Sequence, residues 1–388
     1  MRETINSVNV AVLLSANALC WVIHVPMIFA IIMIFCIFVH WITNRQVFYK
    51  NTIWLYFYCI LFFLYPLFAS ANIIGENIPQ TYFFNYIIVA YASFLLSQSV
   101  FSIKKTLLAL SIISILLMPT IVGMDLEDAD NTGIWMSVSY GVIRFIAALL
   151  LCVLMFKFKF NILTKIVLLL PVAFYSVIYA TYASRGAMLA IVVFIIFLFI
   201  VKGGKRSLAF AVFASLVGII VFANFIPIVI ALVTGLQSIG VEIYALEKIL
   251  IKSDAGDVTN GREGLFTVGL KMAMESPLWG QGVGAYENSI GGGAYIHNIF
   301  LQQMIEGGLL LFLPLTIITI MGIKQMFSNK LTQETRYFIA FLISTGLIEL
   351  IFSNYFWRSQ GYWFLIGYTL SLYSKQRVAS RHRAPILS

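Results

Sequence analysis

Hydrophobic residues occur in long runs along the whole chain, and polar residues are confined to the stretches between them. About 20 consecutive apolar residues in a helix cross the roughly 30 Å hydrocarbon layer of a membrane. Backbone groups in lipid must be hydrogen-bonded within the segment, so each run predicts a helix rather than a loop. We predict membrane spans at residues 8–22, 25–42, 52–70, 83–102, 106–121, 134–155, 166–182, 187–201, 207–228, 298–323, 337–354 and 362–374.

The composition supports this pattern. Hydrophobic residues make up 61% of the 388 residues and charged residues 11%, whereas a soluble domain carries about 25% charged residues. We therefore predict an all-α integral membrane protein with about twelve transmembrane helices, which form a single polytopic domain over residues 1–388. The first apolar run follows Met1-Arg2-Glu3 and lacks a small-residue cleavage site, so we expect a retained helix rather than a signal peptide.

Lys and Arg residues concentrate in alternate connections, and this bias marks the cytoplasmic side of a membrane protein. With the N-terminus inside, every short inner connection is basic, whereas most acidic residues, including Asp125, Glu127, Asp128 and Asp130, lie outside. The inner cations are Arg2, Arg45, Lys50, Lys104, Lys105, Lys157, Lys159, Lys165, Lys202, Lys205, Arg206, Lys324, Lys330, Arg336, Lys375, Arg377, Arg381 and Arg383. We expect both termini in the cytoplasm.

One outer connection, residues 229–297, is much longer than the others, and long loops in compact proteins usually serve a function. Asn260 and Glu263 have the spacing of a capping box, and Pro277 cannot continue a helix. Apolar residues recur at helical spacing between them. We therefore predict a short amphipathic helix at 261–275, which lies at the outer membrane surface.

Two arginines of the outer side are candidate anion ligands. Arg262 falls in the first turn of the predicted short helix, where free backbone N–H groups and the helix dipole attract anions. Arg185 lies in the tight turn Ala183–Ala187, and its planar guanidinium suits phosphate oxygens. The alternative for both is a solvated side chain that reaches toward the headgroups.

His24 lies at the short turn between the first two spans. His297 is the only histidine in the long outer connection, and it lies where the tenth span begins. The positive end of a helix dipole favours neutral imidazole there, and neutral imidazole can accept a proton from a hydroxyl. An interfacial histidine without chemistry is the alternative. The nearby polar residues that we regard as accessory candidates are Glu263, Asn298, Glu306 and Arg358. If His297 is not the base, the candidates for that role are Glu263, Glu287 and Glu306. Arg358 is flanked by aromatic residues, as interfacial anchors are.

The outer connection also contains the glycine-rich segments Pro277–Gly284 and Gly291–Gly293. Glycine allows a backbone to approach a ligand closely, but the spacing matches neither the dinucleotide nor the P-loop motif. A flexible re-entry loop explains this segment equally well.

Charged residues inside predicted spans are costly and normally pair or line a cavity. Arg144, Glu306 and Glu349 are such residues. We favour an ion pair between Arg144 and one of the glutamates, and a proton-coupled transport path is the alternative. The cysteines Cys20, Cys36, Cys59 and Cys152 all lie in apolar runs without metal-ligand spacing, so we expect buried thiols.

Several of these segments together resemble the O-antigen ligase and polymerase family of bacterial surface-polysaccharide synthesis. They are Ser184–Ala187, Gly261–Leu265, Glu275–Gly282, His297–Gln302 and Glu306–Leu309. The resemblance covers roughly residues 180–315. The first 160 residues match the family only in hydropathy.

The resemblance implies a multi-span glycosyltransferase with a GT-C-like fold, which inverts the transferred sugar and requires no metal or other cofactor. It implies undecaprenyl-diphosphate-linked glycans as donor and acceptor, at the periplasmic face of the bacterial inner membrane. In such an enzyme, Arg185 and Arg262 would hold the diphosphate, and His297 would be the base or would orient the acceptor. A chain-length regulator or other assembly proteins are the expected partners besides lipids, and nucleic acid is not.

The family contains polymerases, which extend lipid-linked repeat units, and ligases, which transfer the glycan to lipid A-core. The short interval between the glycine-rich turn and His297 leaves little room for an acceptor-binding insert and favours a polymerase. A transporter or flippase for lipid-linked sugars is the alternative from another class. Transporters often show internal repeats, and we detect none in this sequence.

The charge-based orientation can be tested by cysteine labelling. Single cysteines near Asp257 and Asn288 should react with membrane-impermeant thiol reagents in cells whose outer membrane is permeabilised, because the positive-inside pattern places both outside. Cysteines near Lys159 and Lys330 should react only after lysis. Reversed labelling would overturn the orientation and with it an outer site.

Overall fold

The computed structural model describes residues 1–20, 28–45, 50–69, 78–122, 132–156, 160–182, 185–223, 225–238, 240, 262–291 and 295–383. Within these residues all regular structure is helical. The helices are α1 (Arg2–Leu19), α2 (Ile28–Asn44), α3 (Lys50–Ala69), α4 (Ile78–Ser97), α5 (Ile103–Val122), α6 (Thr132–Leu150), α7 (Ile162–Tyr182), α8 (Arg185–Lys202), α9 (Lys205–Ala223), α10 (Phe225–Gln237), α11 (Arg262–Glu275), α12 (Ala285–Ile290), α13 (Ile299–Met326), α14 (Gln333–Leu342), α15 (Ile348–Phe352) and α16 (Gln360–Arg383). A π-helical turn, Leu151–Met155, extends α6, and another, Ile343–Leu347, joins α14 to α15.

Each of the twelve predicted spans overlaps helical residues, but the ninth is divided between α9 and α10 and the eleventh between α14 and α15. Among the described residues, five stretches are long and apolar enough to cross a membrane: Ile103–Val122, Val138–Met155, Ile162–Tyr179, Ile299–Met326 and Gln333–Phe352. Shorter apolar stretches of 10–17 described residues are Ile28–Asn44, Thr52–Leu64, Tyr82–Ser97, Gly186–Lys202 and Pro227–Gln237. The chain is therefore an all-helical membrane protein, and the number of twelve spans stays a prediction.

The long outer connection differs from the prediction at its start. The predicted ninth span, 207–228, is divided between α9, which ends at Ala223, and α10, which continues to Gln237. Pro227 is the third residue of α10, where a proline is tolerated because the first turn has free N–H groups anyway. The connection thus begins with a helix. Residues 241–261, including the predicted cap Asn260, lie outside the described residues.

Helix ends that we assigned to the inner side lie together. Arg2 Nη2 donates to Asn44 Oδ1 over 2.7 Å, Lys105 Nζ lies 3.3 Å from Glu3 Oε1, and Lys104 Nζ lies 2.5 Å from Glu334 Oε1. These contacts join the starts of α1, α5 and α14 with the end of α2, as the alternating topology requires.

A buried ion pair fixes α6 against α15. Arg144 Nη2 lies 3.1 Å from Glu349 Oε2, and both side chains are buried. Arg144 also donates to the carbonyls of Leu14 and Thr345. The predicted pairing of Arg144 with a glutamate is confirmed. Because removing one partner would leave an uncompensated buried charge, the pair strongly restricts how these helices can move.

The helix α13 is broken rather than continuous, contrary to the single span predicted at 298–323. Gly308 has φ 56° and ψ −156°, which no residue of an α-helix adopts. Only glycine takes this conformation without strain. The break leaves backbone groups without helical partners near the middle of an apolar segment.

The segment Pro277–Gly282, which we call the docked turn, supplies those partners. The amides of Gln281 and Gly282 donate to the carbonyls of Ile305 (2.6 Å) and Glu306 (3.0 Å). In return, the amides of Leu309 and Leu310 donate to Pro277 O (2.8 Å) and Leu278 O (3.3 Å). The glycine-rich segment is therefore packed against the backbone of α13 and is not a flexible re-entry loop.

The glycines of the docked turn permit this approach. A Cβ atom added at Gly280 would overlap the backbone nitrogen of Gly307, and one added at Gly308 would overlap the backbone of Leu278. Gly280 also has φ 72°. The two backbones can meet only because both positions lack a side chain.

We expect Gly280→Ala to destabilise the protein strongly, because the added methyl group must separate the docked turn from α13. Gly203→Ala is the matched control, since Gly203 has φ 73° but open space around its Cβ position. The free energy of unfolding of the control should fall only by the cost of an alanine in the left-handed conformation, about 1–2 kcal/mol. Thermal unfolding of both purified variants in detergent measures the difference, and equal melting temperatures would contradict the docking.

Candidate functional site

The end of the bundle that the charge pattern predicts to be outer brings four chain segments together. They are the start of α13, the short helix α12, the start of α8, and residues 353–359 between α15 and α16, which we call the outer turn. A Cβ atom added at Gly186 would overlap Phe352 and the Tyr140 hydroxyl. The start of α8, which begins with Arg185, therefore lies beside the end of α15, just before the outer turn.

His297 occupies a strained backbone position just before α13. Its φ is 54°, in the left-handed region that non-glycine residues rarely adopt, and such residues cluster at functional sites. The next residue, Asn298, caps α13: its Oδ1 accepts the amides of Phe300 and Leu301, both over 3.0 Å. The cap holds His297 at the positive end of the helix. Asn298, an accessory candidate, thus has a structural task.

Aromatic rings connect His297 to the outer turn. The half-buried His297 ring packs against the Tyr295 ring, tilted by 38° and with 3.9 Å between centroids. The Tyr295 ring lies 4.7 Å from that of Tyr355. The hydroxyls of Tyr295 and Ser353 are hydrogen-bonded over 2.9 Å. His297, Tyr295 and the outer turn therefore form one packed unit.

Arg358 lies at the exposed edge of this unit. Its guanidinium carbon is 5.0 Å from the centre of the Tyr355 ring, within the range of a cation–π interaction. The side chain is exposed. Its surroundings fit both interpretations of the sequence, an interfacial anchor and a cation at the mouth of the site.

Glu306 lies beneath the site, at the break of α13, and is fully buried. Its carboxylate accepts Trp357 Nε1 over 2.5 Å and Gln302 Nε2 over 2.9 Å. The ring of Trp357 in turn packs on Phe63 with 4.6 Å between centroids. These bonds tie the break in α13 to the outer turn, so the described contacts of Glu306 are structural.

Glu287 is a second buried carboxyl, and the sequence suggested it only as a substitute base. It lies in α12 with 1% of its surface exposed. Burial raises its pKa to about 7, so it exchanges its proton near neutral pH. Burial raises the pKa of Tyr355 to about 12, and the nearby Glu287 carboxylate adds to this rise. A carboxyl in a short helix after a glycine-rich turn gives no sequence signal that it will be buried.

The two candidate arginines begin helices at the outer end. Arg185 is the first residue of α8 and Arg262 the first of α11, and their side chains lie outside what the structure describes. The helix α11 packs against α13, where Gly269 faces the side chains of Ile296, Leu301 and Ile305. Glu263, in the first turn of α11, is exposed, and an acid there is favoured by the helix dipole.

The arrangement combines an oriented imidazole, a buried carboxyl that titrates near neutral pH and a surrounding set of tyrosines. Within the described residues, no group of three or more His, Cys, Asp or Glu side chains could hold a metal ion. The site can accept a proton and can stack against a ring. The sequence did not indicate the tyrosines, because aromatic residues are frequent throughout the chain.

Comparison with known proteins connects this geometry to a family. Residues 177–316 match the family model described as O-antigen ligase. No curated protein and no solved structure matches the chain. The matched range includes the start of α8, the whole of α11 and α12, the docked turn, His297 and the break in α13, so it contains most of the site. The resemblance found in the sequence is thereby confirmed: the chain is a membrane protein whose residues 177–316 match the O-antigen ligase family.

Proposed function

We propose that the protein is a glycosyltransferase that polymerises undecaprenyl-diphosphate-linked oligosaccharide repeat units at the periplasmic face of the inner membrane. The observation that carries the proposal is His297, which is held in a strained conformation at the start of α13 inside the matched domain. Strain of this kind persists only where the surrounding structure enforces it. The cytoplasmic location of both termini is part of the same proposal.

The reaction requires that an acceptor hydroxyl attack the anomeric carbon of the donor sugar. The new glycosidic bond forms as the bond between this carbon and the diphosphate oxygen breaks, with inversion. His297 receives the hydroxyl proton, or orients the hydroxyl, and the lipid diphosphate leaves as an anion. Arg185 and Arg262 stabilise this anion by bidentate hydrogen bonds, which supply charge stabilisation without a metal.

The alternative is a ligase, which carries out the same chemistry with lipid A-core instead of a lipid-linked repeat unit as the acceptor. The short interval from the docked turn to His297 favours the polymerase, because a lipid A-core acceptor is larger than a repeat unit. In either case the substrates are lipid-linked glycans, and a chain-length regulator is a proposed partner of the polymerase only.

A transporter for lipid-linked sugars is favoured by one observation, the broken helix α13, since broken helices form the binding sites of many transporters. Here, however, the docked turn satisfies the broken backbone, and the charged residues Arg144 and Glu349 bond to each other. Both observations argue against an open path and support the enzyme.

Gel analysis of surface glycans after gene deletion distinguishes these functions. Loss of a polymerase should leave single repeat units on the lipid A-core. Loss of a ligase should instead leave polymer on its lipid carrier. Unchanged surface glycan would contradict both enzyme proposals.

Arg185→Ala and Arg262→Ala should each abolish glycan transfer while the protein still inserts, because the diphosphate loses a bidentate partner. Arg→Lys should rescue poorly, since a point charge cannot reproduce the planar contact. Lys271→Ala, in the same helix as Arg262, is the control and should retain transfer. Activity near that of the wild type in both Ala variants would remove these arginines from the site.

His297→Ala should lower the rate of transfer by about 10²- to 10⁴-fold, the usual contribution of a positioned base. Donor affinity should stay nearly unchanged, whereas the arginine variants should weaken it. Separate measurement of initial rate and donor binding, with purified protein and defined lipid-linked substrate, tests this. His297→Asn or His297→Gln should retain some activity if the residue mainly orients the acceptor.

If His297→Ala transfers glycan at the wild-type rate, the general base is a carboxyl group and not His297. Glu287 would then be the first candidate, because its pKa of about 7 lets it accept a proton at neutral pH. Activity should in that case rise with pH through about 7 and be lost in Glu287→Gln. Equal loss of rate and donor affinity in His297→Ala would assign His297 to diphosphate binding.

A further inference from the structure

The outer turn contains a second strained residue, Asn354, with φ 63°. Its side chain makes two short hydrogen bonds and one long one, in which Arg358 Nη2 donates to Asn354 Oδ1 over 3.5 Å. Asn354 Nδ2 donates to Glu349 Oε1 over 2.8 Å, and Asn354 Oδ1 accepts the amide of Tyr355 over 2.8 Å. The residue thus connects the last helical segment before the outer turn to the aromatic residue that follows.

The connection starts from a buried ion pair. Glu349 uses its other oxygen, Oε2, to pair with Arg144 over 3.1 Å, and both side chains are buried. An ion pair in such a place has a defined position, because any displacement leaves a charge without its partner. Asn354 is therefore bonded to a fixed point.

The connection ends at His297. Tyr355, which follows Asn354, packs its ring on Tyr295 with 4.7 Å between centroids, and Tyr295 packs on His297 over 3.9 Å. Ser353, which precedes Asn354, holds the Tyr295 hydroxyl over 2.9 Å. Both neighbours of Asn354 thus contact the residue on which the imidazole rests.

We propose that Asn354 is a positioning residue for His297. Asn354 is bonded to the Arg144–Glu349 pair, and through Tyr355 and Tyr295 it fixes the position of the imidazole relative to that pair. The proposal rests on the proposed transferase function for its kinetic test. It assigns the outer turn, which lies beyond the matched family domain, a part in the reaction.

A purely structural explanation is that asparagine is present because it tolerates the left-handed conformation. Glycine tolerates this conformation better. Asn354→Gly therefore preserves the backbone of the turn and removes only the side-chain bonds, so it separates the two explanations.

The matched control is Arg45→Gly. Arg45 has φ 50°, is exposed, and follows α2 at the inner end of the bundle. The same backbone change is thus made far from His297. A second test variant, Asn354→Asp, keeps the acceptor for Tyr355 but replaces the donor to Glu349 by a carboxyl oxygen that repels the Glu349 carboxylate. It replaces Asn354→Gly if that protein does not accumulate.

The experiment measures two properties of full-length protein in detergent. The first is the initial rate of transfer from defined lipid-linked substrate, separated into kcat and KM. The second is the rate at which diethyl pyrocarbonate modifies His297, followed by mass spectrometry, and this rate does not depend on the function.

Asn354→Gly should lower kcat by about 10- to 100-fold, the usual effect of a small misplacement of a reacting group, and should leave the donor KM within about twofold. The modification rate of His297 should change severalfold. Arg45→Gly should change neither. If kcat or the modification rate of the Asn354 variant equals that of the wild type, Asn354 does not position His297. If wild-type protein transfers no glycan, the proposed function fails, and the modification rates alone decide the positioning.

Discussion

A backbone that breaks inside a membrane must find new hydrogen-bond partners, and this requirement governs the outer half of the protein. Lipid offers no partners, and each unsatisfied amide or carbonyl costs several kcal/mol there. The break at Gly308 is therefore tolerated only because the docked turn bonds to both of its sides. As a consequence, positions 280 and 308 must be glycine, because the two backbones meet there.

The docked turn also explains how the site is held. It joins α11 to α12, so its position fixes the helix that begins with Arg262 and the helix that carries Glu287. The carboxylate of Glu306 lies at the break and bonds to Trp357 of the outer turn, and the outer turn carries the aromatic rings that support His297. The candidate groups thus come from distant parts of the sequence but rest on one set of backbone and side-chain bonds.

Much of the fold could be predicted from the sequence, because the hydrophobic runs are long and the inner cations regular. The helix at 261–275 followed from Pro277 and the apolar spacing, and the partner of Arg144 had to be a buried acid. The break in α13 could not be predicted, since Gly307-Gly308 in an apolar run is also compatible with a continuous helix. Nor could the contacts of Tyr295, Glu287 and Asn354, because their importance arises from tertiary neighbours rather than from local pattern.

Amide hydrogen exchange at the break tests the central claim most directly. The claim is that Leu309 and Leu310 donate to the docked turn, so in wild-type protein in detergent their amides should exchange as slowly as those of the flanking turns of α13. The amide of Asn329, an exposed residue in the turn that follows the other end of the helix, provides the fast reference. If the amides of Leu309 and Leu310 exchange as fast as that reference, the break is open and the docked turn does not hold the site.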